Sequence, residues 1–340
     1  MLRQFSLALF LLILDGALSA KTTSPPPAPA TPPADWNKAI EAFARKMADK
    51  HGWDDRALTR QLRKAKYQKS IIDAMNRPAE GMPWHKYRKI FIKQKRIDGG
   101  VRFWRENRAL LERAEKQWGV PPQIITAIIG VETYYGGNAG KYRVLDALGT
   151  LAFAYPKRAS FFARQLDEYL QLHREEKIDL FDSLGSYAGA MGMPQFIPSS
   201  YRAYAVDFDA DGKRDLLHST ADVIGSVANY FARHGWKQGQ PVALRLRPGQ
   251  VPADASDDMK PGIPLARFNT KGVELPDGAK PGDLGSLITL EQENGTEHWL
   301  GLHNFYVITR YNHSNLYAMA VYQLSEKILG KMQHDGKHDK

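Results

Sequence analysis

The sequence predicts an α+β protein dominated by helix, and three observations carry that reading. Apolar residues recur at three- and four-residue spacing through most of the chain between Trp36 and Met332. Two short runs alternate with period two instead, Val242-Ala243-Leu244-Arg245-Leu246-Arg247 and Ser286-Leu287-Ile288-Thr289-Leu290-Glu291, with glycine and proline dense between them. At 340 residues the chain is long enough for two or three structural units around a sizeable core, and it shows no repeat at solenoid period.

The elements follow in order. Met1-Leu2-Arg3-Gln4, the apolar run Phe5 to Leu14 and the small residues Gly16-Ala17-Leu18-Ser19-Ala20 have the layout of a secretory signal, so residues 1–20 are expected to be removed. The apolar run is too short to span a bilayer, and no transmembrane segment is expected after cleavage. Residues 21–34 include Thr-Thr-Ser-Pro-Pro-Pro-Ala-Pro-Ala-Thr-Pro-Pro, a spacer expected to extend as polyproline II. From Asp35 the spacing turns helical through Trp36, Ile40, Phe43 and Met47, then Leu58, Leu62, Ile71, Ile72 and Met75, until Pro78, Gly81 and Pro83 interrupt it. Residues 35–100 are therefore read as a helical lobe. Residues 101–237 are read as the core, with helices over roughly 101–131, 160–174 and 221–234. Residues 238–300 hold the period-two runs and read as a β-rich insert. Residues 301–340 return to the core, first through a strand-like apolar run and then through a helix over 314–332 with Leu316, Met319, Ala320, Tyr322 and Gln323 on its stripe.

The chain contains no cysteine, which excludes disulfides, thiolate metal sites and a lipid-modified cysteine at the new N-terminus. A soluble periplasmic location is the expectation. The formal charge of +10 asks for acidic partners, and for an exported protein those are cell-wall polymers and membrane surfaces. No nucleic-acid motif is present, and nucleic acid is not expected as a partner.

The stretch from Pro122 to Gly137 concentrates the chemistry. Pro121 and Pro122 suit a helix start, and Gly136, Gly137 and Asn138 are placed to stop it. Ile125, Ile128, Ile129 and Glu132 recur at three- and four-residue spacing, so the one acid shares a face with the isoleucines. Desolvation there would raise its pKa toward the range of a general acid near neutral pH. The structural alternative is a helix-end glutamate paired with an arginine.

A second motif reads Asp207-Phe208-Asp209-Ala210-Asp211-Gly212-Lys213-Arg214-Asp215, with carboxylates at loop positions one, three, five and nine and glycine at six. A hard cation needs six to eight oxygens, and alternate residues of a tight loop converge on it when glycine permits the turn. Asp207, Asp209 and Asp211, the Lys213 carbonyl and Asp222, closing a longer loop over 207–222, are the candidate ligands for a structural Ca²⁺. The usual glutamate of position twelve is replaced by His218. An acidic surface turn is the alternative, although acids this close repel one another unless neutralised.

Five motifs occur in a fixed order: Glu132-Thr133-Tyr134-Tyr135-Gly136-Gly137, Tyr155-Pro156-Lys157-Arg158, Gly189-Ala190-Met191-Gly192-Met193-Pro194-Gln195-Phe196, the Asp207 loop, and Arg310-Tyr311-Asn312-His313-Ser314. In these the chain closely resembles the lytic murein transglycosylase B family, over everything after Asp35. The resemblance implies a lysozyme-like catalytic core with a calcium loop, acting on peptidoglycan glycan strands, with cell-wall synthesis proteins as candidate partners. It implies Glu132 as catalytic acid and base. It places Tyr87, Ser186, Gln195, Tyr230, Tyr311 and Asn312 along a sugar groove, and Lys157 and Arg158 at the substrate's peptide. The implied reaction cleaves the β-1,4 bond after N-acetylmuramic acid without water, the muramyl C6 hydroxyl closing on C1 to leave a 1,6-anhydro end. Two rivals remain: a hydrolytic muramidase with Asp146 or Asp167 activating water, and a non-catalytic wall-binding module.

Overall fold

The computed structural model describes residues 29–76 and 82–338. The signal segment expected at 1–20 and most of the spacer lie outside the described residues. Within them the chain forms two compact units, each assembled from two separated stretches. One combines residues 29–76 with 136–223, and the other combines 82–135 with 224–338.

The chain runs through α1 (Trp36–His51), α2 (Asp55–Leu62) and α3 (Lys69–Asn76), then α4 (Trp84–Phe91), α5 (Gln94–Glu106), α6 (Arg108–Trp118) and α7 (Pro122–Thr133). After β1 (Tyr142–Arg143) come α8 (Val144–Ala154), α9 (Ala159–Glu175), β2 (Leu184–Gly185), α10 (Pro198–Tyr204) and α11 (Thr220–Arg233). The remainder holds β3 (Ala243–Arg245), β4 (Ile263–Pro264), α12 (Leu265–Asn269), β5 (Leu284–Glu291), β6 (Thr296–Gly301), α13 (His303–Tyr311) and α14 (Asn315–His338). The class is α+β and mainly helical, as the spacing predicts.

In the first unit α8 and α9 form the central pair, with α1 and α3 packed on α8 and α10 on α9. The apolar stripe of α1 explains its docking: Trp36 and Phe43 meet Phe153 edge-on at 5.5 and 5.7 Å between ring centres. Gly52 ends α1 in the left-handed conformation, and the Asp54 carboxylate then caps α2 by accepting from the Ala57 amide. A two-stranded antiparallel pair, β1 with β2, closes this unit's loop region.

In the second unit α7 and α14 are the buried helices, with α4, α5 and α13 against α14. The β-rich region is one antiparallel sheet in the order β3-β6-β5-β4, pairing Leu287 with Leu300 and Ile288 with Trp299. Leu246, Leu265, Phe268, Leu287, Leu300 and Leu302 form a small core of its own beneath it. The expected strands at 242–247 and 286–291 are both present as β3 and β5.

Three local expectations are corrected. The strand-like run before Arg310 is the helix α13, because Phe305, Val307 and Ile308 bury at helical spacing even though they carry β-favouring side chains. The stripe of α14 is only partly the expected one: Met319 and Ala320 are buried as expected, but they are joined by Tyr317, Val321, Leu324 and Ile328, whereas Leu316, Tyr322 and Gln323 are partly exposed. The helix α7 stops at Thr133, before its glycines, because Tyr134 and Tyr135 themselves adopt left-handed conformations with φ of 56° and 62°.

That last feature is costly for non-glycine residues, on the order of 1–3 kcal/mol each. Tyr135 is held in it by a slot. A Cβ on Gly99, Gly100 or Gly130 would lie 2.9, 2.6 and 2.5 Å from the Tyr135 ring or hydroxyl, so only glycine at these positions of α5 and α7 admits the side chain. The Tyr135 hydroxyl donates to the Arg96 carbonyl at 2.8 Å, and its ring lies along Phe103. The turn that presents the last residues of α7 is therefore fixed by packing rather than by flexible glycines.

Candidate active site

Glu132 lies in the last turn of α7, behind Ile125, Ile128 and Ile129, which are fully buried. The shared face predicted from spacing is present. Its Oε1 accepts a hydrogen bond from the Tyr317 hydroxyl at 2.5 Å. No arginine or lysine pairs with it among the described residues. Burial pushes its carboxyl up to about 8, against the smaller opposing effect of the Tyr317 hydroxyl, which stabilises the carboxylate. The group is thus protonated at neutral pH and able to donate.

Tyrosines surround it. Tyr87, Tyr311 and Tyr317 all have phenols raised by burial first and then by the charge of Glu132, which identifies them as its electrostatic neighbours. Tyr87 comes from α4, where Trp84 and Phe91 flank its ring. Tyr311 ends α13 and meets Tyr230 of α11 at 4.8 Å, and the Tyr230 hydroxyl donates to the Arg310 carbonyl at 2.5 Å. Asn312 follows in extended conformation, 4 % exposed, and its buried Oδ1 has no hydrogen-bond partner among the described residues. The unit formed by 82–135 and 224–338 therefore brings together Glu132, Tyr87, Tyr311 and, through Tyr311, Tyr230.

Tyr317 was not among the residues expected from sequence. Its signal was the i, i+4, i+7 stripe Tyr317-Val321-Leu324, which the phase set by Leu316 obscured. Ser314 caps α14 by accepting from the Tyr317 amide at 3.3 Å, which fixes where this tyrosine begins the helix. Tyr317→Phe removes the donor that stabilises the Glu132 carboxylate. Its expected result is a further rise in that pKa, read as an alkaline limb of the pH–rate profile at higher pH than in wild type.

Ser186, Gln195, Lys157 and Arg158 belong to the other unit. Ser186 is buried, and its Oγ accepts from the Ala188 and Ala190 amides at 3.3 and 3.0 Å. Gln195 sits at φ 50° and donates to the Ala139 and Gly192 carbonyls, and its buried Oε1 has no partner among the described residues. Both residues therefore tie down the glycine-rich loop. Lys157 is exposed in a single 3₁₀ turn, and the Arg158 guanidinium lies 4.6 Å from the Phe161 ring centre.

In the same unit the carboxylates of Asp207, Asp209 and Asp211 converge, their oxygens within 4.8 Å of one another. Asp207 accepts from the Asp211 and Gly212 amides, Asp211 from the Lys213 amide, and Asp209 from the Ser219 hydroxyl, so all three are aimed by the loop itself. None forms an ion pair with lysine or arginine among the described residues. Asp222 lies outside this group. It is fully buried, accepts from the Phe208 and Asp215 amides, one on each oxygen, and feels the charge of Asp209, so it braces the loop from behind. Asp215 caps the Leu217 and His218 amides.

The two acids that could have served a hydrolytic rival are engaged. Asp146, 3 % exposed, accepts from Arg143 Nε and Nη2 and from the Lys66 amide. Asp167, 5 % exposed, is bound by Lys50, His51 and Gln171.

Comparison with known proteins agrees with the geometry. Residues 35–326 match the transglycosylase SLT domain family. The chain is 42 % identical over 302 residues to membrane-bound lytic murein transglycosylase B of Escherichia coli strain K12, covering 86 % of this chain and 83 % of that protein. The crystal structure of soluble lytic transglycosylase SltB1 from Pseudomonas aeruginosa superposes with a TM-score of 0.79 at 45 % identity, covering 85 % of this chain and 97 % of the other. The Escherichia coli lytic transglycosylase Slt35 in complex with calcium superposes with a TM-score of 0.81 at 41 % identity, covering 89 % and 96 %. With one half-buried, desolvated acid among tyrosines, and matched over nearly its whole described length, the chain belongs to the lytic murein transglycosylases of the transglycosylase SLT domain family.

Proposed function

We propose that the protein cleaves peptidoglycan glycan strands without water, with Glu132 as the single acid and then base. The observation that carries this is the protonated, desolvated Glu132 among tyrosines, with Asp146 and Asp167 both consumed by ion pairs and amides. Glu132 protonates the glycosidic oxygen leaving C1 of N-acetylmuramic acid, and an oxocarbenium-like state develops at C1. The resulting carboxylate is then the base for the muramyl C6 hydroxyl, whose oxygen closes on C1. The Tyr317 hydroxyl stabilises that carboxylate between the two steps. Tyr87, Tyr230, Tyr311 and Asn312 hold the sugars, with Ser186 and Gln195 as further contacts and Lys157 and Arg158 at the peptide. Mass spectrometry of digested peptidoglycan tests the reaction: every new muramyl end should be lighter than a reducing end by one water, and reducing ends instead would establish hydrolysis.

The chain acts from the periplasm on this reading, supported by the signal-like N-terminus and by the cell-wall substrate. Among the described residues no helix is long and apolar enough to cross a membrane.

Asp207, Asp209 and Asp211 fit a hard cation, because three aimed carboxylates without a basic partner concentrate negative charge that a lone acidic turn would relieve by splaying. They would hold Ca²⁺ with the Lys213 carbonyl, as a structural ion. Chelation should lower the melting temperature and calcium should restore it, while Asp207→Asn with Asp211→Asn should abolish the response. A melting temperature indifferent to calcium in the wild type would contradict the site.

A further inference from the structure

Beside the tyrosines around Glu132 stands a pair of nitrogen donors that the reaction above does not use. Arg310 immediately precedes Tyr311, and its carbonyl accepts from Tyr230. Its guanidinium lies 5.6 Å from the Tyr306 ring centre and makes an exposed hydrogen bond from Nη1 to His313 Nε2 at 2.7 Å. No carboxylate pairs with Arg310 or His313 among the described residues. Guanidinium has donors only, so His313 Nε2 must present its lone pair, and the ring proton is fixed on Nδ1. Desolvation and then the Arg310 charge lower the pKa of the exposed imidazole.

We propose that Arg310 and His313 form a carboxylate subsite at the edge of the Glu132 site, taking an acidic group carried on the muramyl side chain of the glycan strand. The inference rests on the peptidoglycan reading and extends it to the charge of the substrate. A planar guanidinium with free N–H groups beside a second donor matches the two oxygens of a carboxylate, and the contact of Arg310 with His313 and Tyr306 orders the fork before binding. Although the pair faces solvent, these two contacts narrow the rotamers open to the arginine. The acidic group has two sources, the stem peptide or, where the peptide has been removed, the free lactyl carboxylate.

The test compares kcat/KM of wild type, Arg310→Gln and Arg310→Lys on three substrates. These are peptide-bearing strands, the same strands with every carboxylate converted to an amide, and amidase-stripped strands that carry lactyl carboxylates. For Arg310→Gln the ratio of peptide-bearing to amidated kcat/KM should fall about tenfold or more, the scale of one charge-assisted hydrogen bond, and Arg310→Lys should recover part of it. A loss confined to peptide-bearing strands assigns the stem peptide alone; a loss that extends to stripped strands shows that the subsite takes the free lactyl carboxylate as well. An unchanged ratio, whether because both substrates suffer equally or because neither does, overturns the subsite. Anhydromuramyl ends released by wild type from amidated strands check the underlying reaction separately, since that arm contains no carboxylate for Arg310 to bind.

Discussion

Glu132→Gln should leave a folded protein whose cleavage of peptidoglycan is reduced by a factor on the order of 10² to 10⁴. The amide is nearly isosteric and can still accept from the Tyr317 hydroxyl through its oxygen, but it has no acidic proton for the leaving oxygen. The same substitution should raise stability at alkaline pH. The folded-state pKa of Glu132 is about 8, above the ordinary 4.5, so the folded protein binds the extra proton. Its contribution is therefore fully present below pH 4.5, is lost as pH climbs toward 8, and remains as a constant penalty above that. Glutamine carries no such penalty. The melting temperature of the variant relative to wild type should accordingly be higher at pH 9 than at pH 4, and a pH-independent difference would mean that the acid is not desolvated.

Gly130→Ala should destabilise the protein by about 1–3 kcal/mol, although alanine is the better helix former by roughly 1 kcal/mol. The new Cβ would fall 2.5 Å from the Tyr135 hydroxyl and 2.6 Å from the ring carbon that bears it, and the ring cannot retreat while it fills the slot formed with Gly99 and Gly100. In a Tyr135→Ala background the clash is gone, so the same change should be neutral or stabilising. Guanidinium unfolding of the four proteins of this cycle measures the coupling. Strictly additive costs would show that the slot does not fix the turn after Glu132.

These two expectations mark how far the sequence could be read. The start of α7 and the desolvation of Glu132 were legible, because Pro122 and the isoleucines one and two turns back act within the helix itself. The end of α7 was not. Gly136 and Gly137 looked like the stop, but Tyr134 and Tyr135 turn left-handed first, in a slot whose other walls, Gly99 and Gly100, lie more than thirty residues away. Tyr317 was missed for a related reason: its apolar neighbours allow two helical phases, and only packing against α7 selects between them. The convergence of Asp207, Asp209 and Asp211 followed from loop spacing alone, whereas the bracing role of Asp222 depends on burial that spacing does not encode. The assembly of each unit from two distant stretches is likewise set by tertiary contacts, which contiguous ranges such as 35–100 and 101–237 could not express.

The pH dependence of kcat/KM on defined glycan strands tests most directly the claim that one desolvated carboxyl does the chemistry. Activity requires protonated Glu132, so the wild-type alkaline limb should fall near pH 8. Ile128, fully buried one turn before the acid, supplies part of the apolar wall, and Ile128→Asn should rehydrate the carboxyl and move that limb to lower pH. A limb that stays in place in a folded Ile128→Asn protein would contradict the account.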